Sequence, residues 1–476
     1  MSTLLEHPQA QALLEQTELD PKELRASTRR LTTFLQRYLP CFYRQEQRQH
    51  ADTILRGKLT ALQRKTTEPI ARQAGQKRRP LQHFLGAGLW NDQSVLHELQ
   101  RDVQRQIADD DGVLILDGHG TPKKGTESCG VARPWCGKLG KVDNCQVGVF
   151  LAYASRRGRV VVDAQLYLPK ERADDAPHRQ KTYVPKDITF QEKPKIGVAL
   201  VQRVAGRLRH GWVVGDDEFG RCVDLRRQLR YLEERYVVDV PCDTHIRALG
   251  GRGGKRESFE RVDVWAARQA KKRWKKIKIR DGEKGPVEVE VLSQMVQAKE
   301  EEGRVGVSER LVVMRSLDGE GRTTYTLSHK TQELPVAAIV RARGSRRVVE
   351  QLFAEGNQEV GLDAYEVRSW SGWHHHMTLT MLALWFLQVE ALRLKKKTPG
   401  ITAPLIREIF SRLLARCLNS NEAIAEEVSE ILHRTEESRI YHWHERTGSF
   451  PPPRGAASEA DNSEPVNGYH TRDPDS

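Results

Sequence analysis

Gly112-Val113-Leu114-Ile115-Leu116-Asp117-Gly118-His119-Gly120 decides how the chain is read. Four consecutive apolar residues bounded by glycine suit a strand covered on both faces. The run predicts a short strand ending in Asp117, followed by backbone that glycine leaves free to turn. A second stretch repeats the pattern: Trp212-Val213-Val214-Gly215-Asp216-Asp217-Glu218-Phe219-Gly220. An apolar run that ends in Asp and then Gly sets a carboxylate at the edge of a sheet, where irregular backbone leaves room for a ligand. Taken alone, each Asp reads more simply as a turn or cap residue.

Working outward, Val147–Tyr153 and Val160–Leu168 are the next strand candidates, separated by the turn-like Ser155-Arg156-Arg157-Gly158. Ile196–Leu208 is amphipathic with helical spacing, Val223 to Glu234 reads as a helix, and Tyr236–Val240 as a strand. The order β-β-β-α-β-α-β predicts an α/β core over residues 109–249. Before it, Leu31, Phe34, Leu35 and Tyr38, then Leu81, Phe84, Leu85 and Leu89, recur at helical spacing. Residues 1–108 are therefore expected to be a helical region, with DNA contact as a candidate role. Its basic residues, such as Arg44, Arg48 and Arg56, read first as a solvated helix face.

Past the core, Gly250-Gly251-Arg252-Gly253-Gly254 opens a different composition. Hairpin signals at Asp281-Gly282-Glu283-Lys284-Gly285 and Asp318-Gly319-Glu320-Gly321 lie between Val/Ile-rich segments. Residues 250–335 are expected to form a β-rich basic insertion, and 336–445 to return to helices. The apolar stretch Met377–Leu392 contains Gln388 and Glu390 and predicts a buried helix rather than a membrane span. Residues 446–476, rich in Pro, Ser, Asn and Asp from Pro451 onward, are expected to be a disordered tail.

The 476 residues suffice for two or three domains. Hydrophobic residues make up 38% and charged residues 30%, as in a soluble globular protein. Lys and Arg number 77 against 64 acids, a formal charge of +13 that favours a polyanionic partner. Between Arg252 and Arg280 there are twelve Lys/Arg and three acids. That block includes Lys271, Lys272, Arg273, Trp274, Lys275 and Lys276, and suits phosphate neutralisation with base stacking. The plainer alternative is a solvated face with Trp274 anchored in the core. Seven cysteines without a Cys-x-x-Cys pair argue against a disulfide framework or zinc ribbon. The first residues lack a basic segment followed by a long apolar core, so no signal peptide is expected and the location is read as cytoplasmic.

A third carboxylate completes a constellation. Around Glu350, the residues Val349, Leu352, Phe353 and Gly356 form a stripe that would pack inward, and Arg346, Glu350 and Asn357 lie on the neighbouring stripe. Asp117, Asp216 and Glu350 together suit oxygen ligation of two Mg²⁺ ions, with Mn²⁺ as substitute, clamping the attacking and leaving oxygens of a phosphodiester. Lys123 and Lys124, in a Gly/Pro-rich loop beside Asp117, and Lys141 are candidate DNA contacts, as are Arg346 and Asn357 beside Glu350. Each stands against an ordinary surface role. Consecutive His374, His375 and His376 do not face one ion on a helix and are expected to pack or to touch DNA backbone.

These segments resemble the 701-type insertion-sequence transposases of the DDE superfamily. Asp117-Gly118-His119-Gly120-Thr121-Pro122-Lys123-Lys124-Gly125 is similar to their first-aspartate block and Trp212-Val213-Val214-Gly215-Asp216 to their second. Gly140–Val149 and Leu166-Tyr167-Leu168-Pro169 resemble intervening blocks. Glu350 with Phe353, followed by Gly361–Trp370 and Gly372-Trp373-His374, resembles the third. The resemblance spans roughly residues 30 to 390. It implies an RNase H-like core interrupted by a β-rich insertion, and an enzyme that cuts and joins double-stranded DNA at terminal inverted repeats and targets, as a dimer in the synaptic complex. Four positions depart from the family pattern: Gly118-His119 replace an acidic residue and Thr, Asn357 replaces a Lys, and His375 replaces an Arg. None removes a metal ligand. The alternative they motivate is a non-catalytic DNA-binding protein descended from a transposase.

Overall fold

The apolar run 113–116 is buried because neighbours cover both its edges and both its faces. In the computed structural model, which describes residues 2–137, 139–250, 258–282, 285–300, 304–317, 323–329, 331, 333–398, 400–414 and 421–454, the run opens strand β1 (Val113–Pro122). A small separate hairpin of β2 (Trp135–Cys136) and β3 (Lys141–Val142) follows. Antiparallel β4 (Cys145–Ser155) then pairs with β1, and β5 (Gly158–Leu166) with β4. On the opposite edge β6 (Trp212–Gly215) runs parallel to β1, and β7 (Tyr236–Val240) parallel to β6. The order is β5-β4-β1-β6-β7.

One expectation is corrected at the residue that matters most. β1 does not end at Asp117; it continues to Pro122, paired with β4 alone. The eleven-residue β4 supports β1 along its whole length, whereas β6 has only four residues and leaves β1 at Leu116.

Side-chain alternation assigns the faces. Leu116 points to the helix Lys193–Ala205, where a Cβ on Gly197 would lie 3.2 Å from its Cδ1. Asp117 and His119 point the other way, toward the helix Arg347–Glu355, and His119 stacks on Phe353 with ring centroids 4.5 Å apart. On this second face the helix Trp370–Leu394 lies against β5 and β4. A Cβ at Gly148 would come within 2.6 Å of Trp373, so only glycine admits that indole. This helix is long and apolar enough to cross a membrane, but 83% of its most apolar window is buried inside the protein, so it serves as the core helix.

Beyond β7 the sheet does not stop. The 250–335 region, with its flanks, adds β8 (His245–Ala248), β9 (Glu260–Arg261), β10 (Lys275–Gly282), β11 (Gly285–Lys299), β12 (Val305–Ser316) and β13 (Thr324–Ser328). β13 pairs antiparallel with β7, giving an eleven-stranded sheet that continues β7-β13-β12-β11-β8-β9, with β10 beside β11. The pair Gly282↔Gly285 closes the expected first hairpin; residues 283–284 between them, and the second expected turn from 318 to 321, lie outside the described residues. β12 buries both faces. Leu311 and Val313 join a second apolar cluster with Ile246, Trp265 and Val296, while Val312 and Met314 join the main core.

The expected N-terminal helices run from Ser2 to Gln106. They pack on the core helix through buried polar ties as well as apolar contact. Asp102 accepts from Tyr38 Oη (3.1 Å), Trp385 Nε1 (2.9 Å) and Arg37. Arg30 Nε donates to both oxygens of Glu390 at 3.0 and 2.9 Å. The helices Ala403–Leu414 and Asn421–Thr447 close the same bundle. Residues 450–454, assigned above to the tail, lie on this bundle: Phe450 stacks on His7 at 4.5 Å, and Arg454 Nε donates to Glu436 at 2.6 Å. Residues 455–476 lie outside the described residues.

Candidate active site

The parallel pairing of β1 with β6 ends on Leu116↔Gly215. Asp117 and Asp216 are the next residues on each strand, so two carboxylates stand side by side where the strands part. Asp216 leaves its strand to cap the short helix Asp217–Gly220, its Oδ1 accepting from the N–H groups of Glu218 (3.0 Å) and Phe219 (3.3 Å). Asp117 Oδ1 accepts from Gly118 N–H at 2.7 Å. Burial pushes the Asp117 carboxyl up to about 7, with the charge of Asp216 adding to the shift. Burial raises Asp216 as well.

Glu350 comes from the facing helix. Val349, Leu352 and Phe353 are buried, as the apolar stripe predicts, and Glu350 stands at the border with its side chain 59% exposed. Its charge is felt at Asp117. Between the carboxylates sits Arg346, expected above to contact DNA. It lies 3.5 Å from Glu350 Oε1 and 4.0 Å from Asp239 Oδ2. Burial opposes its charge, but Asp117, Asp216, Asp239 and Glu350 outweigh burial and raise its pKa. Arg346 therefore turns inward toward the summed charge of four acids.

Asp239, at the end of β7, escaped the sequence reading. It is 7% exposed, accepts Arg343 in a fork at 3.0 and 2.8 Å, and accepts Thr326 Oγ1 at 2.8 Å. Its signal was present: an Asp near the end of the otherwise apolar Tyr236-Val237-Val238-Asp239-Val240.

Among the described residues, no three carboxylate, imidazole or thiol side chains converge as a ready ion cage. The donor set nevertheless fits a divalent cation. Two adjacent hard-oxygen carboxylates both resist ionisation, which is the charge deficit a cation relieves, and Arg346 partly fills it.

The family model described as DDE superfamily endonuclease matches residues 37–286, more than half of the chain. The chain belongs to the DDE superfamily endonucleases. It is also similar to the probable transposase for insertion sequence element IS701 of Microchaete diplosiphon, 27% identical over 197 residues. That match covers 40% of this chain and 49% of the relative, so the chain spans about half the length of the curated relative it matches. The family match contains Asp117 and Asp216 and ends before Glu350.

In this endonuclease the other candidate residues divide. Lys124 and Lys141 are exposed, the latter 3.0 Å from Asp143. Lys123 is not a free phosphate grip: its Nζ lies 3.3 Å over the Tyr365 ring and donates to the Tyr365 carbonyl at 3.1 Å, and burial lowers its pKa to about 7. Lys271, Lys272 and Arg273 form an exposed turn before the edge strand β10, which carries exposed Lys275 and Lys276. Trp274 takes the plainer of its two readings. It is half-buried and packs on the second apolar cluster, with the Arg315 guanidinium 3.9 Å over its ring. Asn357 is half-buried in a π-helical turn, Gly356–Val360, with its Oδ1 buried and without a hydrogen-bond partner. The three histidines diverge as expected: His374 contacts the Trp370 carbonyl, His375 those of Leu85 and Trp90, and His376 those of Gly361 and Leu362.

Proposed function

We propose that the protein is a transposase that cuts and joins DNA at the ends of an insertion sequence, with Asp117, Asp216 and Glu350 as its metal ligands. The observation that carries this reading is the pairing Leu116↔Gly215, which delivers Asp117 and Asp216 together at the point where β1 and β6 part. The order and directions of β5-β4-β1-β6-β7 support an RNase H-like core over 109–249 and 336–445, with 250–335 inserted and 1–108 available for end binding.

Asp117 and Asp216 would hold divalent cations from the sheet, and Glu350 from the facing helix. Two bound Mg²⁺ or Mn²⁺ ions would supply activation of the attacking oxygen and neutralisation of the leaving one. The chain's own residues set the conditions. Asp216 is fixed by two backbone donors and Asp117 by one. His119, stacked on Phe353, keeps the Glu350 helix over the sheet. In hydrolysis, water adds to phosphorus and the 3′-oxygen leaves with a proton from solvent. In strand transfer that 3′-hydroxyl attacks a target phosphodiester in the same way, so no covalent enzyme intermediate is required.

Double-stranded DNA is the proposed partner, with two chains at synapsis, in the cytoplasm and on the nucleoid when DNA-bound. The test is cleavage of DNA bearing the element's ends with Mg²⁺ or Mn²⁺. Asp117→Asn, Asp216→Asn and Glu350→Gln should each lose at least ~100-fold in rate, since each removes one charge from the ion site. Near wild-type cleavage by any of them would remove that residue from the set. Binding without cleavage by the wild type would favour a non-catalytic DNA-binding protein.

A further inference from the structure

Away from the carboxylates, two lysines are buried beside one cavity. Lys58 ends the helix Gln45–Lys58 and is 1% exposed; Lys65, in the loop that follows, is 5% exposed. Both line a cavity of about 170 Å³ between the N-terminal helices and residues 364–367, with Gln82, Glu366 and His376 also in its wall. At about 30 Å³ of liquid volume per water, the space suits one tetrahedral oxyanion with a few waters.

The ammonium groups are poorly supplied with acceptors. Each offers three donors. Lys58 Nζ reaches one carbonyl, that of Val360 at 3.3 Å, and Lys65 Nζ reaches that of Thr60. The nearby acids are engaged elsewhere: Glu359 accepts Arg407 at 2.8 Å, and Glu366 accepts Arg64 at 3.2 Å. Asp363 acts on Lys58 from a distance, while Lys65 repels it. His376 directs its Nε2 at the Gly361 and Leu362 carbonyls and supplies no negative charge. A wall holding two buried, underfilled cations is costly unless an anion completes it.

We propose that this cavity binds an oxyanion of the phosphate class through Lys58 and Lys65. Burial first, then repulsion from Lys65 at Lys58 and from Arg407 at Lys65, lowers the pair's affinity for protons, bringing Lys58 to about 7 and Lys65 to about 8, and a bound dianion would reverse that shift. Free phosphate and the 5′-phosphate of a DNA end present the same chemistry. Partly open walls at Gln82 and Glu366, both exposed, leave an entrance for either.

The experiment uses the full-length chain. Thermal unfolding is followed against inorganic phosphate, with chloride at matched ionic strength as control. The wild type should gain several degrees with phosphate, and Lys58→Met and Lys65→Met should lose most of that gain. Lys58→Met removes a buried charge, so it should fold; Lys65→Gln serves if it does not. A phosphate gain equal in wild type and variants, or no gain over chloride, overturns the proposal. Binding of 5′-phosphorylated and unphosphorylated duplexes identifies the source. A Lys58-dependent preference for the phosphorylated duplex assigns a DNA end. Equal binding, beside a Lys58-dependent gain with free phosphate, assigns a free oxyanion.

Discussion

At Asp117 the fold accepts the cost of burying a carboxyl group. Its carboxyl sits at about 7 in the folded chain against an ordinary 3.8. Between those values the folded chain keeps a proton that the unfolded chain releases. Stability therefore falls as pH rises from about 4 through about 7, and above 7 the whole penalty is present. At about 1.4 kcal/mol per unit, the ceiling is about 4 kcal/mol, and relaxation leaves an expected 1–3. Without divalent metal, Asp117→Asn should thus be more stable than wild type at pH 8 and nearly equal at pH 4. Chelator-treated protein in urea at the two pH values checks this. An equal difference at both would mean that the carboxylate is not strained by burial. Asp239 makes the opposite case. It is buried but fully satisfied by Arg343 and Thr326, so Asp239→Ala should cost about 3–5 kcal/mol by stranding Arg343.

At the scale of elements, what was legible follows from how local the cause is. The run 113–116 and the stripe Val349-Leu352-Phe353 announce a strand and a helix face because burial needs only their own neighbours. The surroundings of Arg346 and Lys123 were not legible because their directions depend on acids and aromatics from distant segments, Asp239 and Tyr365 among them. The packing of Trp274 was hidden for the same reason, since Arg315 and the second cluster lie against its ring. The basic turn before β10 can still meet DNA, but with fewer hands than its composition suggests. Lys276 lies 2.7 Å from Glu288, and Arg273 donates to Gln294 at 2.7 Å. That leaves Lys271, Lys272 and Lys275 as the exposed contacts. Replacing these three with Gln should shallow the slope of log affinity against log salt by roughly 2.7, at about 0.9 per phosphate contact. An unchanged slope would place the DNA elsewhere. Trp274→Ala should lower stability while leaving that slope intact.

Across the whole molecule, the question is whether the 250–335 region is an appendage or part of the frame. Its composition marks it off in the sequence, and no local signal reveals that β13 returns to pair with β7, some 85 residues back in the chain. That pairing joins Tyr325–Ser328 to Val237–Val240 and makes the region the continuation of the central sheet. It also lends Val291, Val312 and Met314 to the main core, and Ile279 lies beneath Gly344 in the helix before Arg346. Removing it would expose one edge of β7, a strand buried along its whole length, as an unpaired and mostly apolar template for association. It would also strip Asp239 of Thr326, beside the arginine that faces the carboxylates. At about 1.5–3 kcal/mol for each buried aliphatic side chain, losing three core contacts alone rivals the stability of an ordinary domain. Replacing residues 243–333 with a short Gly/Ser linker should therefore abolish cooperative unfolding and leave an aggregating chain. Calorimetry with size-exclusion chromatography reads the outcome. A monomer that unfolds in one sharp transition would show instead that β5-β4-β1-β6-β7 stands without its extension, and that the insertion serves the DNA alone.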